Sequence, residues 1–327
     1  MNQPILAIND LKANYRVFGG ELKVIDGLNL EVRKGEKVGL VGETGCGKTT
    51  TMKSILRILP KPAGLIKGGE IIFEGKDLLK LKESSMVKLR REKMSAIFQN
   101  PSAALNPVFT VGEQLFDAIK YSRIGGQRVT EKKDIKKKAL EVLKDVALPD
   151  PERLLTNYPF QLSGGMKQRI CIALALVTTS DLLIADEPTT NLDVTIQDQI
   201  LRLLIKLIEE RQTSTIYITH SLGLVRQFMD RVYVMYAGST VEVAKTNDLF
   251  KNPRHPYTIG LLKAVPKLTG GGISLGIPGR VPDYLKPPEG CRFYSRCEGK
   301  MEICEKEKPK FTKIKEDHMV ACFREEE

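Results

Sequence analysis

Short apolar runs alternate with longer amphipathic stretches along the first 250 residues, and this alternation predicts the elements. Ala7-Ile8 and Val24-Ile25 mark short strands around a turn at Phe18-Gly19-Gly20. Lys37-Val38-Gly39-Leu40-Val41 reads as a buried strand that runs into a glycine-rich loop and then a helix, Thr49 to Leu59. Residues 64 to 79 read as a hairpin turning at Gly68-Gly69, and Ser84 to about Arg153 as mostly helical with basic faces. A loop with Gly164-Gly165 precedes a helix, Lys167 to Val177. Leu182-Leu183-Ile184-Ala185 is a strand, Thr195 to Glu210 a helix, and Thr215-Ile216-Tyr217-Ile218 a further strand. Strands alternating with helices predict an α/β fold with a mostly parallel sheet. Near Phe250 the pattern dissolves. Pro253, Pro256, Pro266, Pro278, Pro282, Pro287 and Pro288 crowd together with Gly270-Gly271-Gly272. This places a boundary at about 250, between a domain spanning 1–250 and a tail spanning 251–327.

Composition narrows the class. The chain has 327 residues, 42% hydrophobic and 28% charged, as in ordinary globular proteins. No run approaches the roughly 18 apolar residues of a membrane span. Met1 to Asp10 has neither the basic lead nor the apolar run of a signal peptide, so a cytosolic location is expected. Any membrane role then requires spanning helices from other chains. The net charge of +11 suits nucleic acid, an anionic membrane surface or an anionic ligand. The basic runs at Lys88–Lys93 and Lys132–Lys138 lie among Asp and Glu and read as solvated helix faces. Trp is absent and no arginine-aromatic pattern occurs, so a nucleic-acid partner is not expected.

Two segments carry chemistry on their own residues. Gly42-Glu43-Thr44-Gly45-Cys46-Gly47-Lys48-Thr49, followed by Thr50, fits the phosphate-loop pattern in full and sits between a strand and a helix. Its glycines let backbone N–H groups curl around phosphates, the helix N-terminus favours the anion, Lys48 reaches the β and γ phosphates, and the Thr49 hydroxyl ligates Mg²⁺. Cys46 is either a redox-sensitive thiol or simply a small residue. Further on, an apolar strand ends in Asp186-Glu187. Asp186 suits Mg²⁺ held through water, and Glu187 suits a general base for an attacking water.

Leu162-Ser163-Gly164-Gly165-Met166-Lys167-Gln168-Arg169 resembles the signature of ATP-binding-cassette (ABC) proteins. Ser163, Gly164 and Gly165 offer donors to a phosphate at a helix start, and the resemblance implies that this ATP is held by the opposite subunit. It also implies a RecA-like phosphate-loop NTPase core with an antiparallel β subdomain, a helical subdomain at about 100–175, and a small cysteine-rich C-terminal extension. The other markers follow in order. Gln99 matches the glutamine loop that senses Mg²⁺ and water. Asn191-Leu192-Asp193 matches the D-loop, with Asp193 at the dimer interface, and His220 matches the switch histidine on the γ phosphate. Tyr15 is the candidate for stacking on adenine, with Phe18 near it. The interval from Gly42 to Ser163 leaves no room for the coiled-coil insertion of DNA-repair relatives, and a single phosphate loop excludes tandem translation-type members.

Finer features resemble the oligopeptide and dipeptide importer branch: Met166, Pro188-Thr189-Thr190-Asn191-Leu192-Asp193-Val194-Thr195-Ile196-Gln197, His255-Pro256-Tyr257-Thr258 and Ile277-Pro278-Gly279-Arg280-Val281-Pro282. Asn191 and Ser221 depart from the usual residues. The resemblance implies an ATPase (ATP and water to ADP and phosphate) that powers peptide import, peripheral on the cytoplasmic face of the membrane. Its implied partners are a second, related ATPase subunit, two permease subunits and an extracytoplasmic solute-binding protein. Nickel or oligosaccharide import, and a soluble redox-sensing ATPase, are the rival readings. Cys291, Cys297, Cys304 and Cys322 crowd the tail with spacing C-x5-C-x6-C-x17-C. In a cytosolic chain such a cluster points to metal. Zinc sites normally include a C-x2-4-C pair, absent here, whereas four thiolates suit a [4Fe–4S] cluster, as the resemblance also implies. Zinc, free thiols or a disulfide are the alternatives. His318 is expected at the surface, and the tail is expected to be a separate module whose disruption leaves ATP binding intact.

Overall fold

A computed structural model describes residues 3–123, 127–177, 180–190, 192–265 and 276–326. Asn191, Pro266 and Gly270–Gly272, singled out above, lie outside the described residues. The strands in chain order are β1 (Leu6–Val17), β2 (Gly20–Val32), β3 (Lys37–Val41), β4 (Gly64–Phe73), β5 (Lys76–Asp77) and β6 (Met94–Ile97). Then follow β7 (Leu182–Asp186), β8 (Ser214–Thr219), β9 (Arg231–Tyr236), β10 (Ser239–Lys245), β11 (Phe311–Lys315) and β12 (His318–Ala321). The chain forms two compact units, residues 1–80 with 218–327 and residues 81–217.

The first unit contains an antiparallel sheet ordered β2-β1-β4-β5. The β1–β2 turn falls at Phe18-Gly19 as expected, with Phe18 fully exposed. The expected turn at Gly68-Gly69 does not exist, because β4 runs straight through it. Gly69, with φ +87°, lies where the β1 register slips between Asn9 and Lys12, and a Cβ there would stand 2.5 Å from the Asp10 carbonyl oxygen. The glycine serves a bulge against a neighbouring backbone, not a chain reversal. A second group of strands runs β11-β12-β10-β9-β3. β3 and β9 pair in parallel, while β9–β10, β10–β12 and β11–β12 are antiparallel. The helix after the phosphate loop spans Lys48–Ile55, shorter than the expected Thr49–Leu59, and the chain turns away at Arg57, whose φ is +52°.

The second unit carries strands in the order β8-β7-β6, with β6 and β7 parallel. β7 and the part of β8 within this unit are buried at every position, which accounts for the apolar run at residues 182–185 and for Ile216-Tyr217. β6 interrupts a stretch expected to be mostly helical. Its helices include Glu83–Glu92, Val111–Tyr121 and Lys132–Asp145. Val111–Tyr121 starts at a capping box in which Thr110 Oγ1 accepts from Glu113 N and Thr110 N donates to the Glu113 carboxylate. Helix Val194–Arg211 buries Ile200, Leu201, Leu204, Ile205, Leu207 and Ile208, the three-to-four spacing of one helix face. Among the described residues, no helix is long and apolar enough to cross a membrane.

Candidate active site

In the first unit the phosphate loop leaves the end of β3 and enters the helix Lys48–Ile55. Gly42, at φ +157°, lies so close to the β9 backbone that a Cβ would stand 2.1 Å from the Met235 carbonyl oxygen. Gly47, at φ +107°, occupies the residue before the helix in a conformation that L side chains resist. Lys48 is buried, and its Nζ donates to the carbonyl oxygens of Gly42 (2.8 Å) and Glu43 (3.0 Å), so a cation is held across the loop. Thr44, Gly45 and Thr49 are exposed along the same loop, while Cys46 and Thr50 are buried. Burial pushes the Cys46 thiol above its ordinary range despite the Lys48 charge. The Tyr15 hydroxyl lies 3.4 Å from Thr50 Oγ1, which sets the candidate adenine partner beside the loop helix. His220 is exposed immediately after β8, ahead of Ser221, whose N–H is bonded by Thr219 Oγ1.

The loop is also gripped from the tail, which sequence reasoning missed. Glu43 N donates to the Tyr257 hydroxyl (2.9 Å), and the Tyr284 hydroxyl donates to the Gly45 carbonyl (2.9 Å). Arg296 makes a two-pronged ion pair with the Glu43 carboxylate at 2.8 and 3.0 Å, which holds its guanidinium firmly charged. The tail is therefore not the detached module expected from its composition. A carboxylate inside an anion-binding loop was the available signal, since the loop's own Lys48 is committed to the Gly42 and Glu43 carbonyls.

In the second unit Asp186 is buried at the end of β7, and Glu187 follows at φ +46°. A left-handed glutamate directly after a buried strand is a strained conformation of the kind concentrated at functional sites. Its carboxylate accepts from Gln99 Nε2 and from Thr190 Oγ1, each at 3.0 Å. The structure thus joins two residues that only motif order connected. The signature segment starts a helix, Gly164–Leu176, at Ser163, whose Oγ accepts from Met166 N (3.3 Å). Ser163 and Gly164 are exposed, leaving first-turn N–H groups open to an anion. A Cβ on Gly165 would stand 3.0 Å from Ile196, so this turn packs beside the segment that follows Asp193. Asp193 itself precedes helix Val194–Arg211 without capping it.

The four tail cysteines come together. Cys291, Cys297, Cys304 and Cys322 line one small cavity with Phe293 and Phe323, and Cys291 N donates to the Cys304 carbonyl (2.7 Å). Burial, and then the neighbouring cysteines, push the Cys291 thiol up to about 11. Among the described residues, no group of three His, Cys, Asp or Glu side chains is close enough to hold a single metal ion. The expectation that His318 lies at the surface is wrong. It is fully buried, and its Nε2 lies 2.8 Å from Glu242, which also accepts from the N–H groups of Arg254 and His255. Strand β12 carries His318 inward, and its partner lies far away in sequence on β10. His255 is buried as well, and desolvation pushes its pKa down to about 4, with Glu242 opposing.

Residues 25–190 match the family model described as ABC transporter, and residues 241–304 match that of the oligopeptide/dipeptide transporter, C-terminal region. The chain is 44% identical over 326 residues to a probable peptide ABC transporter ATP-binding protein, y4tR of Sinorhizobium fredii, covering 99% of this chain and 96% of the relative. It is 42% identical to the dipeptide transport ATP-binding protein DppD of Bacillus subtilis, with the same coverage. A solved dimer of the ATP-binding cassette MJ0796 with ADP and phosphate, in a post-hydrolysis state, has a TM-score of 0.65 at 27% identity. That match covers 74% of this chain and 98% of the cassette.

Proposed function

This chain belongs to the ABC transporter family as an ATP-binding subunit with the oligopeptide/dipeptide C-terminal region, and from that premise we propose how its residues drive peptide import. The observation that carries the chemistry is the Glu187 carboxylate, fixed by Gln99 and Thr190 at the end of a buried strand. Glu187 is the base for water, and His220 contacts the γ phosphate. Lys48 and the N–H groups of residues 42–50 bind the phosphates, and Tyr15 stacks on adenine. When Mg²⁺ is bound it neutralises phosphate charge, and Thr49, Gln99 and, through water, Asp186 are the residues that hold it. Ser163, Gly164 and Gly165, with Asp193 beside them, complete the ATP site of a second, related ATPase subunit. Residues 1–250 form the ATPase part, with its helical portion at 100–175, and 251–327 the importer extension.

The permease subunits dock on the second unit. Val108 (71% exposed), Phe109, Tyr158 and Phe160 (70% exposed) project from two loops joined by the bonds Val111 N to Asn157 O and Gly112 N to Leu155 O. An apolar patch of this kind on a charged chain suits a protein partner, and it makes the chain peripheral on the cytoplasmic face. A solute-binding protein delivers the cargo. Peptide is favoured over nickel or oligosaccharide because the relatives are named for peptides. The test is uptake in vesicles holding both ATPases and both permeases, with the binding protein outside. ATP-dependent accumulation of a labelled dipeptide supports the reading, whereas accumulation of nickel or a sugar alone overturns it.

The cysteine cavity is the seat of a [4Fe–4S] cluster. All four cysteines line one cavity, and four thiolates are the ligand set such a cluster takes. When bound, the cluster supplies cross-links to a segment poor in apolar residues. Protein prepared without oxygen is expected to be brown with about four irons per chain. One zinc per chain in colourless protein would overturn this assignment.

A further inference from the structure

Glu43 is an acid within a loop that must receive a highly anionic ligand. Left alone, its carboxylate would repel the phosphates. At an effective dielectric near 20, one unit of charge about 8 Å away shifts affinity roughly 30-fold per phosphate charge, and solvent and salt screening bring this down to about tenfold. Arg296 cancels that charge, and its setting is closely fitted. Its side chain is 5% exposed. Besides the two bonds to Glu43, Nε donates to the Pro278 carbonyl (3.0 Å), Nη2 to the Ile277 carbonyl (3.0 Å), and Nη1 to the Tyr236 hydroxyl (3.3 Å). A Cβ on Gly279 would stand 2.9 Å from Arg296 Cγ, so the backbone closes over the stem. A lysine cannot reproduce this planar fork.

The turn bearing Arg296 is itself tied to the cysteines. Tyr294 N donates to the Cys291 carbonyl (3.0 Å), and Cys297 N to the Tyr294 carbonyl (3.2 Å). One turn thus offers sulfur to the cysteine cavity at each end and a guanidinium to the phosphate loop between them.

We propose that Arg296 is a positioning residue for ATP. It neutralises Glu43 and orients the phosphate loop, so the integrity of the cysteine-bearing turn sets nucleotide affinity. This rests on reading residues 42–50 as the ATP site. The tests use the full chain and equilibrium binding of a fluorescent ATP analogue with Mg²⁺. Arg296→Met is expected to weaken binding about tenfold, and Arg296→Lys by less. The double variant Arg296→Met with Glu43→Gln is expected to return to within about threefold of wild type, because the offending charge is gone. A purely mechanical brace would not be restored by Glu43→Gln, so persistent weakness in the double variant overturns the proposal, as does unchanged affinity in Arg296→Met. Cys297→Ser is expected to weaken binding to a similar extent and to add little to Arg296→Met. Full additivity would break the link to the cysteines. Lys48→Ala is the control: if it binds like wild type, the ATP-site reading fails instead. Circular dichroism melts identify any variant that has not folded, and for such a variant the Glu43→Gln single change still reads the charge effect, with affinity equal to or tighter than wild type. Weaker binding by that single change overturns the proposal.

Discussion

The phosphate loop is held by hydrogen bonds with Tyr257, Tyr284 and Arg296, which lie 214, 239 and 253 residues from their partners. Glu187 is held by Thr190, three residues away, and by Gln99, 88 residues away. On the proposed reading, the loop that grips nucleotide depends on chain far downstream, while Glu187 draws both partners from within its own unit. Closing the longer loops costs only slightly more entropy, since that cost grows with the logarithm of length. What differs is exposure to distant damage. Under the proposed roles, disruption of the tail is expected to reach ATP binding, whereas loss of the Glu187 carboxylate is expected to act on the chemical step.

The sharpest way to separate the two regions is Glu187→Gln. The amide keeps the size and the bond from Thr190 but cannot take a proton. Steady-state hydrolysis by the assembled ATPase pair is expected to fall at least about 100-fold, with nucleotide affinity unchanged. Lowered affinity in that variant would show that the two regions are not separable. Lys48→Ala makes the converse cut. Losing a charged donor inside the loop is expected to weaken ATP binding by about 10- to 100-fold, as calorimetry would read it, with no change in exchange protection around β7.

Acid offers a gentler probe, because all three histidines lie in the first unit. His255 has its pKa lowered to about 4 by burial. Between pH 6.5 and 4 the unfolded chain therefore binds a proton that the native chain refuses, and stability falls as pH falls through that window. Glu242, whose hydrogen bonds outweigh its burial and hold it below the ordinary carboxylate range, adds loss in the same direction near the bottom of the window. On the order of 3 kcal/mol is withdrawn through His255. Hydrogen exchange at pH 5 against pH 7 is expected to show lost protection around β10, β12 and residues 255–263, with β6 and β7 unaffected. Equal loss in both units would erase the contrast.

Sequence patterning revealed the buried strands of the second unit because residues 182–185 in β7 and 216–218 in β8 are short apolar runs. The motif residues were legible because phosphate binding constrains backbone conformation so tightly. The failures share a cause. Gly69 relieves a clash with Asp10, Glu242 partners His318, and Arg296 answers Glu43. Each depends on a contact between segments that no local pattern records. β6 was hidden for a different reason: four residues between helix-forming stretches are too few to show a period.

Strand β12 pairs with β10 through Glu242–Val320 and Val243–Met319, and β11 pairs with β12 in turn. During synthesis β10 emerges dozens of residues before its neighbour. At about 5–20 residues per second, the ribosome leaves that strand with an unpaired edge for several seconds. The wait is longer for Gly45 and Glu43, which precede Tyr284 and Arg296 by 239 and 253 residues. A nascent subunit thus has its nucleotide-binding sequence early but its final edge strand and loop clamps only at the last stage of translation. A premature stop codon between β10 and β12 would release a chain with a raw sheet edge, prone to aggregate and be degraded, rather than a smaller working ATPase.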